Sequence, residues 1–118
     1  MTGITVKELL EATGGNLLLG QEDQHAGHIS LDSRKMEGDD LFVPIVGERV
    51  DAHRFLCQAI ASGAAAVFTS EHHCWEDVKA SVRQQCGGNR EQEKKALGAA
   101  WIEVPDTKKA LQDLGSFC

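Results

Sequence analysis

From residue 41 onward the sequence alternates short apolar runs of strand length with stretches of helical periodicity. The runs are LFVPIV at 41–46, AAAVFT at 64–69 and WIEV at 101–104. Between the first two, Phe55, Leu56, Ala59 and Ile60 form an apolar stripe that Gly63 ends. Trp75, Val78 and Val82 mark a second helix over about 74–85, with these three facing inward. Pro105-Asp106 turns the chain into a last helix carrying Ala110, Leu111 and Leu114 on one face. Strands joined through helices lie parallel with right-handed crossovers, so the chain is an α/β domain: a mixed, largely parallel sheet with flanking helices. A continuous apolar run also implies a strand buried on both faces. Pro44 interrupts the first run; having no N–H to give a ladder, it calls for a bulge there or for a place whose N–H is unpaired on one side.

The N-terminal third is punctuated differently. Thr5-Val-Lys-Glu8 has the form of a capping box, Val6, Leu9 and Leu10 follow at helical spacing, and Gly14-Gly15 stops a helix over about 5–13. Residues 16–19 form a brief strand and 21–27 a polar loop. Residues 28–32 alternate polar and apolar, as a half-buried strand does. The stretch CGGNREQEKK at 86–95 is polar and aperiodic, which reads as a solvated loop or a frayed helix end.

A length of 118 residues supports one domain with a real core and not two. The net charge of −6 leaves no electrostatic footprint for nucleic acid or an anionic membrane. Tyrosine is absent and only 5% of residues are aromatic, so a base-stacking platform is not expected. No apolar run approaches the roughly 18–20 residues that span a bilayer. The start, MTGITVKELLEA, lacks the features of a secretory signal, and a cytoplasmic protein is expected. In that compartment Cys57, Cys74, Cys86 and Cys118, scattered without CxxC spacing, read as free thiols.

Ligands in such sheets sit beyond the carboxyl ends of the strands. Two polar segments fall there: Asp32-Ser33-Arg34 and GERVD at 47–51. They read as two lips of a site. Ser33 offers a hydroxyl suited to a base or sugar oxygen. Gly47 permits a tight turn and close approach of a ligand. Arg49 is a permanent cation whose planar fork matches phosphate oxygens. Asp51 and His53 open a helix whose first amides favour an anion. The plainer alternatives are a structural Asp32–Arg34 ion pair and an Asp51 that serves only as an N-cap. The sequence carries no GxxxxGK[ST] loop, no GxGxxG and no GxSxG elbow, so the site is one for binding, with no catalytic residue assigned. His72-His73-Cys74 is a dense set of metal-ligand types. Adjacent residues point in different directions, so convergence on one ion is not expected, nor is it at His25 and His28.

The run LDSRKMEGDDLFVPIVGERVDAHRFLCQAIASGAAAVF, with DSR, GDLFV-like, D-x-H-x-F and AI-x-x-GA-x-A-V motifs, resembles the N-terminal domain of the Mur ligases, the ATP-dependent amino-acid-adding enzymes of peptidoglycan synthesis. WIEVPDTKKALQDLG resembles the strand and helix leading toward that family's central ATPase domain. The resemblance covers about 28–70 and 100–117. It implies that residues 1–118 are one UDP-substrate-binding domain, excised from a larger three-domain ligase and not catalytic alone. By position, Leu31 and Ser33 flank the uridine, and Glu48, Arg49 and Val50 after Gly47 form the opposite lip. Asp51 and His53 match the motif and serve either the ligand or the shape of the loop. The implied partner is UDP-N-acetylmuramoyl-peptide. ATP, magnesium and D-alanyl-D-alanine belong to domains absent from this chain. Within the family GERVDAH favours the member that adds D-alanyl-D-alanine to the tripeptide precursor, the alternative being the member that adds the third amino acid. A stand-alone α/β interaction module without ligand is the reading from another class. Pro44 and the 71–98 segment depart from the family pattern.

Overall fold

The computed structural model describes residues 3–45 and 52–117, the side chains of residues 116 and 117 aside. Helix α1 (Val6–Thr13) begins where the sequence places it. The Thr5 hydroxyl accepts from the Glu8 N–H at 3.2 Å and the Glu8 carboxylate accepts from the Thr5 N–H at 3.0 Å, a reciprocal capping box. Gly14, at φ 69°, adopts the left-handed conformation that closes the helix and returns its N–H to the Leu10 carbonyl. Just ahead of the helix, β1 (Ile4–Thr5) pairs antiparallel with β3 (His25–Ala26), so the expected loop over 21–27 contains a short strand.

The main sheet also contains β2 (Asn16–Leu19), β4 (His28–Ser30), β5 (Asp40–Phe42), β6 (Ala64–Thr69) and β7 (Ala100–Glu103), in the order β2-β7-β6-β5-β4. Four neighbours, β4 through β7, are mutually parallel; β2 pairs antiparallel with β7. The fold is thus the mixed, largely parallel α/β sheet that the alternation implied. Gly20 leaves β2 at φ 107°, where a Cβ would come within 2.7 Å of the Ala100 Cα; only glycine lets the chain pass there.

The continuous apolar runs are buried on both faces because helices cover both. On one face Phe42, Val67 and Trp101 pack with α2 (Leu56–Ala61), α3 (Trp75–Cys86) and α4 (Arg90–Gly98) through Leu56, Ile60, Val78, Val82 and Ala96. On the other, Leu41, Ala66, Phe68 and Ile102 pack with α1 and α5 (Thr107–Phe117) through Val6, Leu9, Ala110 and Leu114. Trp101 is wholly buried at mid-sheet. Its indole N–H donates to the Ala96 carbonyl at 2.9 Å, and its ring meets His72 edge-on.

Four expectations need correction. Of the two readings of Pro44, the bulge within a strand falls away: β5 ends at Phe42, and the ladder-like bond to Ser30 comes from the Val43 N–H at 3.0 Å, so the proline follows the ladder, in line with the unpaired alternative. The 86–95 stretch is largely helical, because Asn89 caps α4 by accepting from the Gln92 N–H at 3.1 Å. Trp75 is 46% exposed rather than inward; it opens α3, beyond the packed stripe of Val78, Val82 and Cys86, and lies under the Lys79 ammonium. Finally, β4 is the sheet's edge and its apolar side chains are the exposed ones, Ile29 at 46% and Leu31 just beyond at 50%. Among the described residues, no helix is long and apolar enough to cross a membrane.

Candidate functional site

The chain leaves the carboxyl end of β4 into a turn that its own side chains fix. The Ser30 hydroxyl donates toward the Asp32 and Lys35 carbonyls at 3.0 and 3.2 Å, and the Lys35 N–H returns to the Asp32 carbonyl at 3.0 Å. The Asp32 carboxylate accepts from the Arg34 backbone N–H at 2.9 Å and from its guanidinium at 3.0 and 3.2 Å. This is the structural Asp32–Arg34 ion pair, built on an Asx-turn. The Arg34 guanidinium, then its backbone N–H, holds the Asp32 carboxyl below its usual range. The turn therefore presents a neutralised pair, with Ser33 tucked between, 7% exposed.

Opposite lie Ala52 and the start of the next helix. The Ala52 N–H donates to the Ile45 carbonyl at 3.3 Å. A single 3-10 turn, Ala52–Phe55, then feeds α2. Between this turn and the Asp32 turn lies a cleft of about 400 Å³. Leu31, Asp32, Ser33 and Arg34 line one wall. Phe42 lies in the lining as well, and Ala52, Phe55 and Gln58 complete it. The lining thus offers two apolar surfaces, Leu31 and Phe55, with a hydroxyl and an amide.

Of the residues expected at the site, Leu31 and Ser33 line this cleft. Gly47, Glu48, Arg49, Val50 and Asp51 lie outside the described residues. His53 is placed elsewhere: it is 3% exposed and turned to the end of β6. Its Nε2 accepts from the Ser70 N–H at 3.0 Å and lies 3.1 Å from the Ser70 hydroxyl, while Nδ1 faces the Glu71 carboxylate at 3.3 Å. Phe55 and Gln58 were missed. Phe55 read as core stripe and Gln58 was given no role, and only their closeness in sequence to GERVD pointed to them.

The His72-His73-Cys74 run does not converge. His72 Nδ1 is 2.6 Å from the Thr69 hydroxyl, His73 Nδ1 bonds Glu103, and Cys74 is the N-cap of α3. Burial pushes the His72 imidazole below its ordinary value. A closer set of ligand-type atoms belongs to His28, Glu37 and Asp40, within 4.8 Å of one another. There Asp40 already accepts from the Glu37 and Gly38 N–H groups at 2.8 and 2.9 Å, and His28 Nδ1 lies 2.9 Å from Asp39.

Comparison with known proteins gives these features a context. The family model for the Mur ligase family, catalytic domain, matches residues 25–117. The chain is 38% identical over 91 residues to the UDP-N-acetylmuramoyl-tripeptide–D-alanyl-D-alanine ligase of Treponema pallidum, covering 75% of this chain and 17% of that protein. It is 35% identical over 111 residues to the UDP-N-acetylmuramoyl-L-alanyl-D-glutamate–2,6-diaminopimelate ligase of Clostridium perfringens, covering 94% and 19%. Among solved structures, MurF of Acinetobacter baumannii is similar over 99% of this chain with a TM-score of 0.67 and 27% identity, covering 21% of that chain. The chain spans about a fifth of the length of these relatives.

Proposed function

Because the chain belongs to the Mur ligase family, we propose that it is the domain that holds the uridine-diphosphate end of a UDP-N-acetylmuramoyl-peptide for a three-domain peptidoglycan-precursor ligase. The observation that carries this reading is the cleft at the carboxyl ends of β4 and β5. Leu31 and Phe55 give a planar base two apolar surfaces, and Ser33 gives its edge a hydroxyl. Arg34 is the cation among the described lining residues, and Asp32 already neutralises it. On this reading the 46–51 segment supplies a further cation to the diphosphate, Arg49 being the only Lys or Arg in that segment. Gly47, Glu48, Val50 and Asp51 complete this second lip.

The domain acts by orientation. Anchoring the nucleotide converts the meeting of a distant peptide carboxylate with ATP into a step within one complex. ATP, magnesium and the acyl-phosphate chemistry fall to the rest of the ligase, which is cytoplasmic on this reading. D-Alanyl-D-alanine is the group it adds, in line with the name of the Treponema relative. The 94% coverage against the Clostridium relative favours, as second reading, the member that adds diaminopimelate.

Calorimetric titration with UDP-N-acetylmuramoyl-tripeptide, compared with UDP alone, tests the anchor. Binding by both ligands is the expected result. Ser33→Ala should weaken each by about 2- to 12-fold, the worth of a typical hydrogen bond, and Arg49→Ala by about 10- to 100-fold, the worth of a charge-assisted one. Unchanged affinity in both variants refutes the residue assignments. Silence with both ligands, repeated on a chain extended through the phosphate loop, leaves the ligand-free interaction module. Ligation assays on that longer chain, tripeptide with D-alanyl-D-alanine against dipeptide with diaminopimelate, decide between the two family members.

A further inference from the structure

Cys57 lies in α2 and Cys86 is the last residue of α3, and the two side chains share one core cluster and line one cleft. They are 7% and 8% exposed, inside the core cluster on that face of the sheet. Neither is sealed from solvent, because both line a cleft of about 380 Å³ beside Gln58, Gln85 and Gln92. The Gln85 side-chain carbonyl accepts from the Cys57 N–H at 3.3 Å, tying the last turn of α3 to α2 next to both cysteines. The pair is far apart in sequence and has no CxxC spacing, so nothing in the sequence joined them.

We propose that Cys57 and Cys86 form a dithiol modification site, at which a small peroxide entering the cleft closes an intramolecular disulfide that staples α2 to α3. The Cys86 sulfur, its proton lost, attacks one peroxide oxygen. The O–O bond breaks, the displaced oxygen leaves as water with that proton, and Cys86 becomes a sulfenic acid. The Cys57 sulfur then attacks the sulfenic sulfur; the S–OH bond breaks and the hydroxyl leaves as water with the Cys57 proton. Two thiols lose two electrons and one hydrogen peroxide becomes two waters. The order comes from the electrostatics. Burial, then the neighbouring Cys86, pushes the Cys57 thiol up to about 12. Burial also raises Cys86, but the neighbouring Cys57 side chain works against that rise. Cys86 is the attacking thiol and Cys57 the resolving one. Reaction is slower than at an exposed thiolate, because burial keeps the reactive fraction small.

The test is peroxide treatment of the folded chain, alkylation with N-ethylmaleimide in denaturant, then intact-mass and peptide analysis. The parent chain and a Cys74→Ser/Cys118→Ser variant are run together. The expected result is a mass lower by two hydrogens in the variant, no alkylated cysteine, a peptide joining Cys57 to Cys86 in both proteins, and reversal by dithiothreitol. With Cys57→Ser the reaction stops at a Cys86 sulfenic acid that dimedone traps; Cys86→Ser gives at least tenfold less adduct. Two alkylated cysteines in the variant, under peroxide that oxidises Cys74 of the parent chain, overturn the proposal. So does a disulfide that forms only in urea, or one that links two copies of the chain.

Discussion

His53 provides the sharpest separation of fold from ligand. Replacing it by alanine removes the acceptor that holds the Ser70 N–H and hydroxyl, and the Nδ1 contact to Glu71. A partly buried N–H left without a partner costs about 1–3 kcal/mol. Truncating a ring that is 3% exposed leaves a cavity worth about 2 kcal/mol more. Glu71 is half exposed on its side chain, so its share stays below about 1 kcal/mol. His53→Ala should therefore lose about 3–5 kcal/mol, lowering Tm by roughly 10–20 °C for a domain of this size. Urea unfolding followed by tryptophan fluorescence, with buried Trp101 as reporter, measures this. His53→Gln, which restores an acceptor for the Ser70 N–H, should recover part of the loss. A His53→Ala protein within about 1 kcal/mol of the parent, yet tenfold weaker for UDP, refutes the reasoning and returns His53 to the ligand.

Trp101→Phe loses the indole bond to Ala96 and part of a fully buried ring, and should cost about 2–4 kcal/mol in the same unfolding assay, whereas Trp75→Ala should cost under about 1 kcal/mol. The hydrogen bond to Asp39, then the charge of Glu37, raises His28 above its ordinary 6.5, so an NMR titration should place its midpoint above that value and Asp39→Asn should bring it down. The stabilisation His28 brings is full below its unfolded-state value and fades as pH rises through the raised folded value. Thr5→Ala removes an N-cap and should cost about 1 kcal/mol in urea unfolding, with Thr5→Ser nearly neutral.

What could be read from the sequence was whatever depends on neighbours along the chain. The Thr5–Glu8 box and the Gly14 stop are local chemistry, and the strand–helix alternation fixes parallel order through handedness alone. The readings that failed needed a third dimension. Alternation over 28–32 tells which side chains share a face, but not that β4 is an edge whose apolar face lies open. Helix α4 was missed because its surface is nearly all charged; the signal was Asn89 with Gln92 three residues on, after Gly87-Gly88. The 41–46 strand was read too long because its length was taken from hydrophobicity, whereas the ladder ends at Phe42, two residues before Pro44. At the site, the turn carrying Ser33 was legible from its polar triplet beyond a strand. Phe55 and Gln58 were not, because their role comes from two segments meeting across the cleft.

The antiparallel pairing of β2 with β7 has a consequence for time. Asn16 and Glu103 are register partners 87 residues apart, so this ladder closes one of the longest loops the domain contains. While the chain is being made, β2 and α1 emerge early and wait, since β7 and the helix α5 that shares α1's core come last. The loop-closure entropy of that contact must be met before its rewards arrive. Folding should accordingly be slow for a domain of this size. A chain halted short of β7 leaves β6 without its β7 partner and Leu9 without its cover, the state in which such a domain is most open to aggregation.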